Sequence, residues 1–195
     1  MPTTLTDGPA ALLNALQHHD GTTGWHSRRV SLLARRTGAL LGLAGTALDD
    51  LEEAALVHDA GKLRVPARIL RKAGPLSPGE WAVVRRHPEW GAELLSNVGK
   101  LGRHADAVRA HHECWAGGGY PAGRAGAGIP LPARIIAACD AYDAMTTERP
   151  HAPRRAPNEA LAELQACAGR QFDPVVVSAL EIALAPTRES AAVAG

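Results

Sequence analysis

Apolar residues recur at the i, i+3, i+4, i+7 spacing of a helix along most of this 195-residue chain. One stripe runs through residues 26–43. Another runs through residues 46–63, where the acidic residues stand early, as the helix dipole favours. Only two short segments, 65–70 and 174–180, resemble strands, and each is too isolated to pair. The pattern predicts an all-α fold, a single compact bundle of about seven or eight helices.

Local signals locate several helix boundaries. The segment LSPGEW, residues 76–81, combines a capping serine with proline and glutamate, which predicts a helix start. The pair His87-Pro88 predicts a break, because a residue before proline avoids helical angles. Asp173 and Pro174 predict the start of the last helix. We expect an N-terminal helical extension over 1–19, the main domain over 20–185 and a flexible tail over 186–195.

Composition and charge exclude several classes of protein. Apolar residues make up 46% of the chain, enough for a sizeable core, and the net charge is only +1. That balance argues against binding to DNA or RNA polymers and against an anionic membrane surface. The cysteines Cys114, Cys139 and Cys167 show no CxxC pairing. With neither a signal peptide nor a membrane-spanning stretch predicted, we expect a cytoplasmic protein.

Polar residues at one helix end raise the question of a functional site. His58, Asp59 and Lys62 can project towards one region from the end of an apolar stripe. Taken alone, they are explained equally well by an ordinary helix C-terminus at which Gly61 stops the helix. Their interpretation therefore depends on the other histidines.

Further histidines and an aspartate stand at predicted helix ends or on inward faces, and together they favour a metal site. These residues are His26, His87, His111, His112 and Asp140. A bare charge at Asp140, inside an apolar run, would be costly. Five histidines and two aspartates fit nitrogen and oxygen ligation. So large a set favours two ions bridged by a carboxylate, an arrangement that can clamp a phosphoryl group.

The segment HHECWAGGGYP, residues 111–121, begins a long stretch rich in glycine and proline that indicates a functional loop. Successive helical side chains diverge by about 100°, so His111 and His112 are expected to reach different parts of one metal cluster. The glycines allow the backbone to turn and to lie close to a nucleotide. Another histidine, His104, is expected on an exposed helical face.

The order of these motifs resembles the HD-GYP domain, a subgroup of the HD metal-dependent phosphohydrolases, over about residues 20–184. The motifs are His26, HDAGK, RHPEWGAELL, HHECWAGGGYP and IPLPARIIAACDAYDAMT. The resemblance implies an all-α bundle around two or three metal ions, often iron or manganese. It also implies hydrolysis of the bacterial messenger cyclic di-GMP to pGpG and GMP.

The resemblance assigns roles position by position. Asp59 would be the bridging carboxylate, and Lys62 would neutralise a phosphate oxygen of the substrate; these two are the implied catalytic residues. Arg149 matches a family arginine that contacts phosphate or guanine. The substrate cleft would be lined by Gly119, Tyr120 and Pro121, with Tyr120 against a base or ribose. The implied metal ligands are His26, His58, Asp59, His87, His111, His112 and Asp140.

Five positions depart from the family pattern. Thr22 stands where some three-metal members have a glutamate, so we expect two divalent ions. Iron or manganese is expected first, with magnesium, zinc, nickel or cobalt as alternatives. Ala116 and Ala122 replace acidic residues of the loop, and Ala125 and Ala152 replace basic ones. The ligand set is therefore complete, whereas the surroundings of the substrate are altered.

These features leave three functions open. The leading one is a metal-dependent phosphodiesterase that hydrolyses cyclic di-GMP. The second is an HD phosphohydrolase acting on another nucleotide or cyclic dinucleotide. The third is a catalytically weak, metal-containing cyclic di-GMP receptor or interaction module. The family's GYP surface is associated with docking onto diguanylate cyclases, so such a cyclase is an expected partner. A homodimer stays open.

Overall fold

The computed structural model describes residues 8–20, 23–148 and 153–185. Within these ranges the chain forms ten α-helices, three short 3₁₀ segments and no strand, which confirms the all-α prediction. The 3₁₀ segments are Ala60–Arg64, Gly99–His104 and Gly126–Gly128. The helices are α1 Pro9–Asp20, α2 Thr23–Leu40, α3 Gly45–Leu56, α4 Ala67–Leu70, α5 Pro78–Val84, α6 His87–Ser96, α7 Ala105–Ala110, α8 Leu131–Thr146, α9 Pro157–Ala166 and α10 Pro174–Leu184.

The helix boundaries follow the local chemistry of the sequence. At the start of α5, the Ser77 side chain accepts from the Glu80 amide, and the Glu80 side chain accepts from the Ser77 amide, which confirms the capping box. Asp173 caps α10 by accepting from the Val175 amide at 2.9 Å. The predicted break is present but lies before His87: α5 ends at Val84, and His87 and Pro88 are already the first two residues of α6.

The core consists mainly of two apolar clusters. The larger one packs the inner faces of α2, α3, α8 and α10, with Ile135, Ile136 and Leu180 fully buried. The second cluster joins Leu12 of α1 to Val57 and to residues of α6 and α7. Asp140 directly follows a member of the first cluster, and His58 directly follows Val57 of the second. The site residues are thus drawn from the boundary of both clusters.

A close backbone contact sets the distance between two parts of the site. The 3₁₀ segment Ala60–Arg64 packs against α6 so tightly that a Cβ on Gly61 would overlap the carbonyl oxygen of His87. Gly61 is therefore required by packing, not only by the end of a helix. The contact brings Asp59, which precedes this segment, next to His87. Among the described helices, none combines the length and apolarity needed to cross a membrane.

Candidate metal centre

Three buried histidines share one orientation. His58, His87 and His111 are at most 1% exposed. Because a carbonyl oxygen only accepts, each Nδ1 facing one must carry the proton, and each Nε2 is left with its lone pair. In each case the Nδ1–H donates to the carbonyl three residues earlier: Ala55 at 2.7 Å, Val84 at 2.8 Å and Val108 at 2.6 Å.

The free nitrogens of these histidines point at one another. The Nε2 atoms of His87 and His111 lie 3.3 Å apart. The Nε2 of His58 is buried and has no hydrogen-bond partner among the described residues. Two lone pairs at this distance repel unless a positive charge lies between them. These nitrogens are therefore disposed to bind cations, since ligating histidines commonly donate their other N–H to a carbonyl.

Burial keeps the imidazoles here neutral. It lowers the pKa of His87 to about 3 and that of His112 to about 4. Burial, reinforced by the neighbouring histidines His112 and His58, also holds the pKa of His111 well below its usual value. Neutral imidazole is the form that binds metals, so these residues are ready to ligate at neutral pH.

At this centre, two sets of three residues place their donor atoms within 4.8 Å of one another, and a third such set, His58, Asp59 and His111, shares one histidine with each of them. We call His87, His111 and His112 the imidazole group. We call His26, His58 and Asp140 the carboxylate group. The groups adjoin, because the ring centroids of His58 and His111 are 5.2 Å apart.

Asp59 lies between the two groups. Its Oδ1 is 3.4 Å from His87 Nε2, and its Oδ2 is 3.5 Å from His58 Nε2. Lys62 donates to Oδ2 at 2.7 Å. Burial alone would raise the pKa of Asp59, but the charge of Lys62 and then the histidines hold it well below its usual value. A single ionised carboxylate thus presents one oxygen to each group.

The carboxylate group contains a histidine held between two acids. The Nε2 of His26 lies 3.0 Å from Asp140 Oδ1, and its Nδ1 lies 2.6 Å from Asp143 Oδ2. Burial alone would lower the pKa of His26, but hydrogen bonds to Asp140 and Asp143 raise it to about 9. Burial opposes ionisation of Asp140 too, yet the hydrogen bond to His26 holds its pKa well below the usual value.

The segment of residues 119–122, which we call the GYP loop, lies against the imidazole group. The Tyr120 ring stacks on His112 with 4.9 Å between centroids and 25° between planes. The guanidinium of Arg85 lies 5.0 Å from the centre of the Tyr120 ring. Glu113, which is buried, accepts from the Ala122 amide at 2.8 Å. Gly119 leaves no room for a side chain, since a Cβ would overlap the backbone of residues 113 and 114. Tyr120 and the loop therefore border the same histidines.

His111 and His112 reach overlapping but not identical parts of the cluster. Both belong to the imidazole group, with their ring centroids 4.1 Å apart, but only His111 also lies with His58 and Asp59. The expectation for His104 is wrong. It is 3% exposed, and its Nε2 lies 2.6 Å from Glu53.

All seven predicted ligands and Lys62 come together at one place, as do Gly119, Tyr120 and Pro121 in the adjoining loop. The predicted substrate residue Arg149 lies outside the described residues, as do Thr22, Ala152 and the tail after residue 185. Sequence reasoning missed Asp143. Its signal was the spacing in DAYD, which puts Asp143 one helical turn after Asp140 on the same face.

Comparison with known proteins identifies the family. The sequence profile of the HD domain matches residues 10–176, which is most of the chain. The chain belongs to the HD domain family. Membership implies the use of divalent metal ions, and the two groups described above supply suitable donor atoms.

Curated relatives confirm the resemblance of this HD domain to the HD-GYP subgroup. The cyclic di-GMP phosphodiesterase response regulator RpfG of Xanthomonas campestris is 40% identical over 171 residues, covering 87% of this chain and 45% of the relative. The 3′3′-cGAMP-specific phosphodiesterase 2 of Vibrio cholerae is 37% identical over 171 residues, covering 87% and 33%. The chain thus spans less than half the length of these relatives.

Solved structures support the fold. Bd1817, an HDGYP protein from Bdellovibrio bacteriovorus, superposes with a TM-score of 0.67 at 22% identity, covering 90% of this chain and 56% of that one. The HD domain of the phosphodiesterase PgpH from L. monocytogenes, in complex with cyclic-di-AMP, gives 0.61 at 17% identity, covering 89% and 94%. At these identities the likeness establishes a shared HD fold and nothing about the ligand.

Proposed function

We propose that this HD domain is a metal-dependent phosphodiesterase that hydrolyses cyclic di-GMP to pGpG and GMP. The observation that carries the proposal is the position of the buried Asp59, whose two carboxylate oxygens face separate groups of donor atoms. The choice of substrate rests on similarity to relatives named for that activity.

We assign two divalent ions to the site, with iron or manganese as the first candidates. The imidazole group would hold one ion, the carboxylate group would hold the other, and Asp59 would bridge them. A pair of ions so held polarises a phosphoryl group and supplies a nucleophile from water near neutral pH. Five histidines, all neutral when ligating, and two ionised aspartates give the donor set that such ions accept.

The surrounding residues have roles of their own in this proposal. Lys62 would neutralise charge that develops on a phosphate oxygen, and its bond to Asp59 keeps its ammonium at the centre of the site. Tyr120, stacked on His112, would offer its ring edge or face to a base or ribose of the substrate. Gly119 and Pro121 would fix the shape of that part of the cleft, and Arg149 would contact phosphate or guanine.

The test is to load the protein with Mn²⁺ or Fe²⁺, incubate it with cyclic di-GMP and follow the products by chromatography. We expect linear pGpG first and GMP later, and no product from an Asp59→Ala variant treated identically. Full metal occupancy with intact cyclic di-GMP after prolonged incubation would reject the assignment.

A second candidate is hydrolysis of a different cyclic dinucleotide. It is favoured by alanines at 116, 122 and 125, where the family has charged residues, and by similarity to a relative named for 3′3′-cGAMP. A panel of cyclic di-GMP, 3′3′-cGAMP and cyclic di-AMP separates the two, because kcat/KM ranks the substrates directly.

A third candidate is a metal-containing receptor or interaction module. Calorimetry would then show that cyclic di-GMP binds without being consumed.

A cytoplasmic location, a diguanylate cyclase partner and a homodimer remain predictions. Co-purification tests the cyclase partner, and light scattering tests the homodimer.

A further inference from the structure

We propose that Asp143 is a positioning residue for the carboxylate group: it fixes the ring of His26 so that Nε2 faces the ion shared with His58 and Asp140. This inference rests on the metal centre of the proposed function. It concerns a residue of α8 that is not itself among the predicted ligands. Asp143 is buried, and its Oδ2 lies 2.6 Å from His26 Nδ1.

His26 is held differently from the other histidines of the site. His58, His87 and His111 donate through Nδ1 to carbonyls of their own preceding turn, which no side-chain substitution can remove. His26 instead donates to a side chain that is 117 residues away in the sequence. A charged acceptor makes a stronger bond than a neutral carbonyl does. The orientation of His26 therefore depends on one replaceable carboxylate.

Asp143 is itself held in place from its other side. Arg29 donates from Nε to Asp143 Oδ1 at 2.6 Å and from Nη2 to Asp143 Oδ2 at 2.9 Å. The same Nη2 donates to Thr147 Oγ1 at 3.1 Å. A two-point bond from a planar guanidinium fixes the plane of the carboxylate as well as its distance. The chain from Arg29 through Asp143 to His26 thus leaves the ring little freedom to turn.

Because Asp143 contacts only one of the two donor groups, its loss should affect the two ion sites unequally. His26 belongs to the carboxylate group and not to the imidazole group. Loss of Asp143 should therefore weaken one ion site and spare the other. A role limited to joining α2 and α8 would instead lower stability and weaken both sites together. Removing a carboxylate that orients a ligating histidine typically lowers metal affinity about 10–100-fold.

The experiment titrates the chelator-stripped chain with Mn²⁺ and counts free and bound ions by electron paramagnetic resonance. His26→Ala and His112→Ala serve to assign each binding step to the carboxylate group or to the imidazole group. For Asp143→Ala we expect the step assigned to the carboxylate group to weaken about 100-fold, and for Asp143→Asn, which keeps an acceptor, about 10-fold. The other step should keep its wild-type affinity.

The matched control is Asp173→Asn. Asp173 is likewise a buried aspartate paired with an arginine, with Arg134 Nη1 2.6 Å from its Oδ2, and it lies outside both donor groups. This variant should bind both ions as the wild type does. Equal weakening of both steps by Asp143→Ala, or no weakening of either, would overturn the inference.

If Asp143→Ala does not fold, Arg29→Gln decides, because the Arg29 side chain is 45% exposed and its replacement leaves the carboxylate in place. It should weaken the same step several-fold, and unchanged binding would count against the inference. None of these measurements needs a substrate. A chain that binds two ions but hydrolyses no cyclic dinucleotide would therefore refute the proposed function and leave this inference standing.

Discussion

The two donor groups of the site differ in the protonation of their histidines before metal binds. The imidazole group has three neutral histidines, kept neutral by burial, with no carboxylate among them. In the carboxylate group His26 lies between Asp140 and Asp143, and its pKa is about 9. The ligating histidines thus start neutral in one group, whereas His26 starts protonated in the other. An ion entering the first group meets lone pairs, whereas an ion entering the second must displace a proton.

This difference predicts that the two ions are not equivalent. Imidazole nitrogen suits zinc, iron and nickel, whereas carboxylate oxygen also suits manganese and magnesium. In our proposal, Asp59 is the only ligand that the two ions share. Changes at Asp59 should therefore affect both ions, and changes elsewhere should affect one ion or neither.

Replacing Asp59 by alanine should have the largest effect. Both ions lose a ligand, and the site loses the negative charge of the Asp59 carboxylate, which offsets part of the charge of the two cations. We expect metal content, measured by elemental analysis after gel filtration, to fall from two ions per chain to near zero. A variant that retained both ions would show that Asp59 is not the bridge.

Replacing Lys62 by alanine should slow turnover while leaving both ions bound. Lys62 contacts Asp59 but belongs to neither donor group. Losing one charge-stabilising donor typically lowers kcat about 10²–10³-fold. Steady-state kinetics with cyclic di-GMP, alongside metal analysis of the same sample, checks both halves of the prediction. Loss of metal together with activity would give Lys62 a structural role instead.

The metal affinities of the two donor groups should depend differently on pH. Below pH 9 an ion reaching His26 must displace a proton, so its affinity should rise about tenfold per pH unit between pH 7 and pH 9. At the imidazole group, His87 and His112 have pKa values of about 3 and about 4, so affinity there should be flat above about pH 5. Calorimetric titration with Mn²⁺ in buffers of different ionisation enthalpy counts the protons released. Two equally pH-dependent sites would contradict the comparison.

Replacing Glu113 by glutamine should have the smallest effect. Glu113 holds the GYP loop through the Ala122 amide, and glutamine keeps a carbonyl that can accept this bond. We expect KM for cyclic di-GMP to change a few-fold at most and both metal affinities to stay the same. Glu113→Ala should raise KM further, since it releases the loop. A change in metal stoichiometry would mean that Glu113 contacts an ion.

The fold class, and which residues lie together at the candidate site, could be predicted from sequence. Both follow from the spacing of apolar residues and the order of the motifs. Helical periodicity and capping signals locate most helices, and a carboxylate inside an apolar run, such as Asp140, needs partners. The resemblance of the ordered motifs then supplied the roles of His26 and His58.

What the sequence did not reveal depended on contacts between distant segments. The burial of His104 depends on Glu53 of α3, which local periodicity does not reveal. Asp143 was passed over because its partners, His26 and Arg29, are more than a hundred residues away. The need for Gly61 follows from its contact with His87, which only the packing of the 3₁₀ segment on α6 makes visible.

The most direct test of the shared carboxylate is the electron paramagnetic resonance spectrum of the chain loaded with two equivalents of Mn²⁺. Ions about 3.5–4 Å apart in a bridged pair are magnetically coupled. We predict a coupled spectrum from two bound ions, replaced by a free-ion signal in Asp59→Ala. Two uncoupled ions, or a single bound ion at saturation, would contradict the account.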